Sequence, residues 1–334
     1  MIKNMEVINK KNINWISISR MVGIVLVVLG HSITGANADM NKFWEIVLLL
    51  INSFHMPLFF VVSGFLFYKG KYCRTYGGFI RNKFLDLMLP YFFLSAIYVV
   101  LGEVTGDDIY TFENLRRCIY NPMSHFWFLY TLFFVTVISF TLIELLNVNV
   151  KVILIVNVIL LIVINIFRIN LWQYEFPIYK ILYYNIFFCF GCLLKQIDYN
   201  GMINKRQLVC MIAIYFICLL IIYLKKSNVA INIVCAMVGT LILFSFSSKF
   251  NNKIFIYIGN NTMPIYLIHS LFLNFTRKIF YIIENNKSVI VILTTVFGLI
   301  VPLFICKIFS KSKIYNFLFY PRRLLTKKEE NINE

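Results

Sequence analysis

The chain holds four histidines, His31, His55, His125 and His269, and each falls within or at the end of a long apolar run. An ionisable side chain is costly to place in hydrocarbon, so such residues tend to face a protein interior or a wet cavity. Arg20 and His31 form the sharpest pair. They stand in one run, separated by close to three full helical turns, so both project from one face about 16 Å apart along the axis. That face offers a cation for an anionic cofactor at one end and a base for a hydroxyl at the other, because imidazole titrates near neutrality. The plainer reading is that Arg20 extends its stem to the nearer headgroup layer and His31 hydrogen-bonds at the opposite interface.

Other polar residues share this placement. In the string Phe54-His55-Met56-Pro57-Leu58, the proline lacks an N–H and predicts a kink that frees a carbonyl near His55. Asn52 lies three residues earlier, on the same helical face. Ser63 and Gly64 permit close helix contact. The segment from His125 to Tyr130 brings Trp127 and Tyr130 to a span end, as in an interfacial aromatic belt. Further on, Tyr266 and His269 share a face, and Pro264 suits a first turn. Cys189 and Cys192 form a CxxC inside an apolar run with no second pair to complete a ligand set, so no metal site is expected.

The elements that must position these residues follow from composition. Of 334 residues, 60% are apolar and only 14% charged, against about 25% charged in ordinary soluble domains. A soluble core could not hide so much apolar surface. Runs at 16–33, 44–68, 84–102, 125–146, 150–167, 178–194, 207–224, 229–247, 262–283 and 288–309 each approach the ~20 residues a helix needs to cross a bilayer. The fold expected is an all-α integral membrane bundle of about ten transmembrane helices. The fifth and sixth runs are short and interrupted by Asn157, Asn165 and Gly191. The ninth begins after the polar break Gly259-Asn260-Asn261-Thr262.

Net charge is +17. With the N-terminus inside, the inner segments hold about two thirds of the 32 Lys and Arg, the bias expected of cytoplasmic loops. Both termini are then cytoplasmic, and the cations imply membrane placement and no nucleic-acid partner. The expected domain is single, 1–334, with a cytoplasmic N-terminal segment at 1–15 and a basic cytoplasmic tail at 310–334. The first run has a basic flank but no small-residue cleavage site, so it is read as an anchored span. A multi-pass protein of the cell membrane follows, with lipids among its partners.

Five blocks carry a resemblance: ISRMVGIVLVVLGHS at 18–32, FHMPLFFVVSGFLF at 54–67, KFLDLMLPYFF at 83–93, HFWFLYTLF at 125–133 and IGNNTMPIYLIHSLF at 258–272. In this order they resemble membrane acyltransferase family 3, most of all its fucose-4-O-acetylase-like branch. The second block is the most specific; residues 147–250 match in hydrophobicity only. The resemblance implies an acyltransferase that moves an acyl group, typically acetyl from cytoplasmic acetyl-CoA, to a hydroxyl of a cell-surface or lipid-linked saccharide. It assigns catalysis to His31, Arg20 and His55, and acyl-CoA binding to Arg20, Arg74, Arg81 and Lys83. Asn52, Ser63, Trp127, Tyr266 and His269 are expected to support or bind substrate. The pattern departs at two places. Ser17 stands where the family often has an acid, and Asp86 where it usually has Arg or Lys. A transporter or flippase of a lipid-linked saccharide needs similar buried polar groups without chemistry. It would be favoured by inverted repeats, and none is visible. A sensing module on a borrowed fold is the third reading.

Overall fold

A computed structural model describes residues 2–38, 41–67, 75–105, 110–171, 174–322 and 324, with side chains described from residue 14 onward. Among the described residues the chain is all helical, without a strand. The helices, in chain order, are α1 (Ile2–Gly35), α2 (Lys42–Leu66), α3 (Tyr76–Lys83), α4 (Leu89–Thr105), α5 (Phe112–Arg117), α6 (Trp127–Phe140), α7 (Val150–Ile166), α8 (Ile178–Gln196), α9 (Lys205–Tyr223), α10 (Val229–Ser247), α11 (Lys253–Asn260), α12 (Thr262–Ile283), α13 (Lys287–Phe309) and α14 (Lys313–Phe319). A π-helical turn, Phe84–Met88, joins α3 to α4, and a second, Thr141–Leu145, extends α6.

Eight helical segments among the described residues are long and apolar enough to cross a membrane. The other two of the ten expected runs are helical as well. Helix α7 is a shorter apolar helix of 17 residues. Helix α12 has the length, 22 residues, but carries His269, Asn274, Arg277 and Lys278 among its apolar positions. Its polar content marks it as a helix that needs protein neighbours. The first helix begins at Ile2 and runs through the polar N-terminal segment.

Local chemistry sets many of the boundaries. Asn149, Asn204, Asn228 and Asn252 start α7, α9, α10 and α11, each side chain accepting a first-turn backbone N–H, the preferred use of Asn at an N-cap. Inside the spans, short polar side chains donate back to the carbonyl one turn earlier: Ser32 to Val28, Asn157 to Ile153, Thr240 to Ala236 and Thr294 to Ile290. Each satisfies a hydroxyl or amide where no water competes. Helix α2 runs unbroken through Pro57.

The residues form two compact units. One is Met1–Ser63 with Leu194–Cys306, the other Gly64–Leu193 with Lys307–Glu334. In the first unit, Ile33 of α1 and Ala36 just past its end pack with Trp44 and Ile51 of α2 and Ile290 and Val291 of α13. A second cluster joins Tyr215 and Leu219 of α9 to Cys235 of α10 and Phe54 of α2. Helix α11 meets α1 so closely that a Cβ at Gly259 would overlap the carbonyl of Ser17. The second unit is rich in rings. Phe79 stacks on Phe140 with centroids 3.8 Å apart, and Tyr91, Tyr98 and Phe126 interlock in the interior. Tyr130, expected at an interface, is instead buried, its hydroxyl donating to the carbonyl of Ile119 at 2.7 Å.

Candidate active site

The first unit assembles a histidine site along the α1–α12 seam. Arg20 donates from Nη2 to Thr262 Oγ1 at 2.6 Å. His31 lies against His269, ring centroids 5.3 Å apart and tilted by 44°. Farther on, Arg277 lies against Gly35, and Tyr281 donates its hydroxyl to the carbonyl of Ala36 at 3.0 Å. These pairs advance together along both helices, so α1 and α12 run side by side in the same direction. Arg20 and His31 do share one unbroken helix, which fixes their common face.

The three histidines of this unit differ in environment. His269 is fully buried, and its Nδ1 donates to the carbonyls of Tyr266 at 2.7 Å and Ile265 at 3.2 Å. A carbonyl only accepts, so Nδ1 carries the proton, and in the neutral ring Nε2 is left as the acceptor. His55 repeats this: Nδ1 donates to the Ile51 carbonyl at 2.7 Å, which again makes Nε2 the basic nitrogen of the neutral ring. The carbonyl it uses belongs to its own preceding turn. His31, by contrast, is exposed between buried neighbours such as Val28 and Ile33. It is close enough to interact electrostatically with His55, His269 and Arg277. Tyr266, buried, places its ring 6.1 Å from that of His269.

The remaining expected residues are placed as follows. Asn52 is exposed on α2, one turn before His55. Ser63 donates to the carbonyl of Phe59 at 2.8 Å. Trp127, Arg81 and Lys83 belong to the second unit. Trp127 packs on Tyr184 with centroids 5.1 Å apart, and Lys180 Nζ sits 4.9 Å from its ring. Lys83 lies 5.7 Å from the Phe79 ring, and Arg81 is exposed. Arg74 lies outside the described residues. The CxxC thiols serve packing: Cys192 Sγ contacts the carbonyl of Gly64 at 3.3 Å, and Cys189 Sγ contacts Asn185 Oδ1 at 3.7 Å. Among the described residues no three His, Cys, Asp or Glu side chains converge as metal ligands.

Sequence reasoning missed three features. Arg277 is half-buried, held by Asn274 Oδ1 and accommodated by the missing side chain of Gly35. The signal available was an arginine inside the ninth apolar run, eight residues after His269. Ser17 is not a bare replacement for an acid. It donates to Asn260 Oδ1 at 2.8 Å and ties α1 to the end of α11. Asp86, in the π-helical turn, pairs with Arg322 at 2.9 Å, so the C-terminal segment supplies a guanidinium near that place. Lys83 also interacts with Asp86. Lys83 and Arg322 thus set two cations against Asp86, a balance that suits a phosphate-bearing ligand.

The helices and the histidine seam define a multi-pass membrane protein that carries ionisable groups within its apolar helices. The sequence model of the membrane acyltransferase family 3, described as an acyltransferase domain, matches residues 13–311. The chain belongs to this family and is a membrane acyltransferase. No curated protein and no solved structure matches it significantly.

Proposed function

We propose that the chain is an O-acetyltransferase of the cell membrane. It takes acetyl from cytoplasmic acetyl-CoA and delivers it to a hydroxyl of a cell-surface or lipid-linked saccharide. The observation that carries this reading is the exposed His31 set against His269, with a guanidinium at each end of the same seam. In this scheme both termini and the Arg20 end of α1 face the cytoplasm. Arg20 meets the anionic part of the donor there, and Arg74, Arg81 and Lys83 contribute to holding its phosphates.

His31 removes the proton of the acceptor hydroxyl as its oxygen attacks the thioester carbonyl carbon. The carbon–sulfur bond breaks, and His31 returns the proton to the departing thiolate, so the products are the ester and the free thiol. His269, anchored through Nδ1, offers Nε2 to orient His31. His55 in its neutral form has already used its N–H on Ile51, so it is better suited to accept a proton than to steady negative charge. Arg277, held by Asn274, is the better-placed donor for the oxygen on which that charge develops. Tyr266 packs beside His269. Asn52, Ser63 and Trp127 are assigned to support and acceptor contact.

The test is mass analysis of glycans from cells with the intact gene, without it, and with His31→Ala at matched membrane abundance. One acetyl mass increment should appear with the intact gene alone. A full increment with the variant refutes His31 as the base. An unchanged acetyl content accompanied by loss of the surface glycan itself points to a flippase instead.

A further inference from the structure

Beyond His31, at the end of α1 away from Arg20, the first unit holds a recess of about 410 Å³ lined by Asn37, Ala38, Asn41, Trp44, Asn286, Lys287 and Ser288. This lies within the about 300–1,000 Å³ of small-molecule sites. Asn37 follows His31 by six residues, which places the recess roughly 9 Å farther along the axis. Arg277 against Gly35 and Tyr281 on Ala36 stand along the interval.

The hydrogen bonds within the wall determine what it offers. Asn41 Oδ1 accepts the Phe43 N–H at 2.9 Å, and Asn286 Oδ1 accepts the Ser288 N–H at 3.0 Å. Both amide oxygens are therefore engaged in local capping, while each Nδ2 group still has protons to donate. Trp44 Nε1 donates to Ser288 Oγ at 2.9 Å, which leaves the serine hydroxyl proton available outward. Lys287 places Nζ 3.1 Å from the Asn37 carbonyl, spending one of its three protons and fixing the ammonium at the rim. Asn37 carries the turn at φ 49°, a left-handed conformation that asparagine tolerates. The recess is thus biased toward donors, with one cation; among the described residues its lining holds no acidic side chain, and Glu284 beside it spends a carboxylate oxygen on the Asn286 N–H at 2.7 Å.

We infer that this recess docks the acceptor, and that it selects a saccharide carrying a carboxylate or phosphate. The inference rests on the acyltransferase reading for what happens next, but binding is separable from transfer. A donor-rich wall satisfies the oxygens of an anionic sugar, while a neutral sugar forgoes the charge-assisted bond to the Lys287 ammonium. With the anionic group held here, the rest of the saccharide extends along α1 toward His31.

The test uses the full-length protein in lipid nanodiscs and reads binding directly by saturation-transfer NMR and titration. Three probes separate the sources of charge: a glucuronic-acid disaccharide, its neutral glucose counterpart, and glucose 1-phosphate. The inference expects at least one anionic probe to bind about tenfold more tightly than the neutral one, the size of one charge-assisted hydrogen bond. Which anionic probe wins identifies the group. Lys287→Ala should abolish that preference, Lys287→Arg should keep most of it, and Asn286→Ala should weaken both anionic probes. Lys226→Ala, which removes an exposed cation outside the recess, should bind like the parent protein. Equal binding of all three probes, no binding of any, or indifference to Lys287→Ala overturns the inference. Binding without acetyl transfer overturns the proposed function and leaves the docking site standing; transfer without binding does the reverse.

Discussion

Gly35→Ala tests whether Arg277 works where the seam places it. In an isolated helix the change is favourable, since alanine is better than glycine by about 1 kcal/mol. Here a Cβ would overlap the Arg277 guanidinium, whose other support is Asn274. Overpacking of this kind costs about 1–3 kcal/mol, so the net effect on stability is small, about 0–2 kcal/mol of loss. The effect on catalysis should be larger. The guanidinium must move by about an atom's width, and a misplacement near 1 Å costs up to about 10²-fold in rate. Acetyl transfer by reconstituted protein should fall between about tenfold and a hundredfold, carried by kcat rather than by the KM for acetyl-CoA. Arg277→Lys trims the clashing head, so the double variant should lose less than the two single losses combined, with a coupling of about 0.5–3 kcal/mol. A Gly35→Ala enzyme as active as the parent, at equal abundance, refutes the placement of Arg277 beside the reacting groups.

Other perturbations probe neighbouring parts of the account. Gly259→Ala pushes a methyl into the Ser17 carbonyl, a backbone atom with little room to yield, and should destabilise by about 2–3 kcal/mol, read as an earlier unfolding transition in thermal scanning fluorimetry. The Asp86–Arg322 pair is about one-third exposed on each side, 35% and 38%, so either alanine variant should cost at most about 1 kcal/mol; a reciprocal charge swap should recover it in the same assay. Burial raises the Cys118 thiol above its ordinary value. Its thiolate fraction at neutral pH is therefore depressed, and maleimide labelling read by mass spectrometry should lag behind a free thiol until the pH rises or the protein unfolds.

Much of the architecture was legible because a bilayer imposes one length and one polarity on every span. The run expected at 262–283 coincides with α12, and that at 229–247 with α10. Arg20 and His31 were legible as a face because both lie on one helix, where spacing alone fixes direction. What stayed hidden depends on register between helices distant in sequence. Nothing in the local sequence says that His31 meets His269 rather than His55 or His125. The contact exists because α12 runs alongside α1 in the same direction. Asp86 read as a departure because its partner, Arg322, lies 236 residues away. Tyr130 read as a belt residue because position at a span end is visible in sequence and burial by a loop is not. Arg277 was hidden by its nearness to a span end, where arginine is usually a solvated flank; the notch at Gly35 makes it an interior group.

In the proposed reaction an acetyl group passes from acetyl-CoA to a saccharide hydroxyl with His31 as base. The most direct measurement uses inside-out membrane vesicles containing the full-length protein, supplied with acetyl-labelled acetyl-CoA, with label counted in the extracted glycan over time. Label should enter the glycan with the intact protein, and His31→Ala should lower the rate by at least about a hundredfold, the lower end of what a general base contributes. Label entering the glycan at the same rate with His31→Ala, or none entering with the intact protein while its saccharide is present, contradicts it.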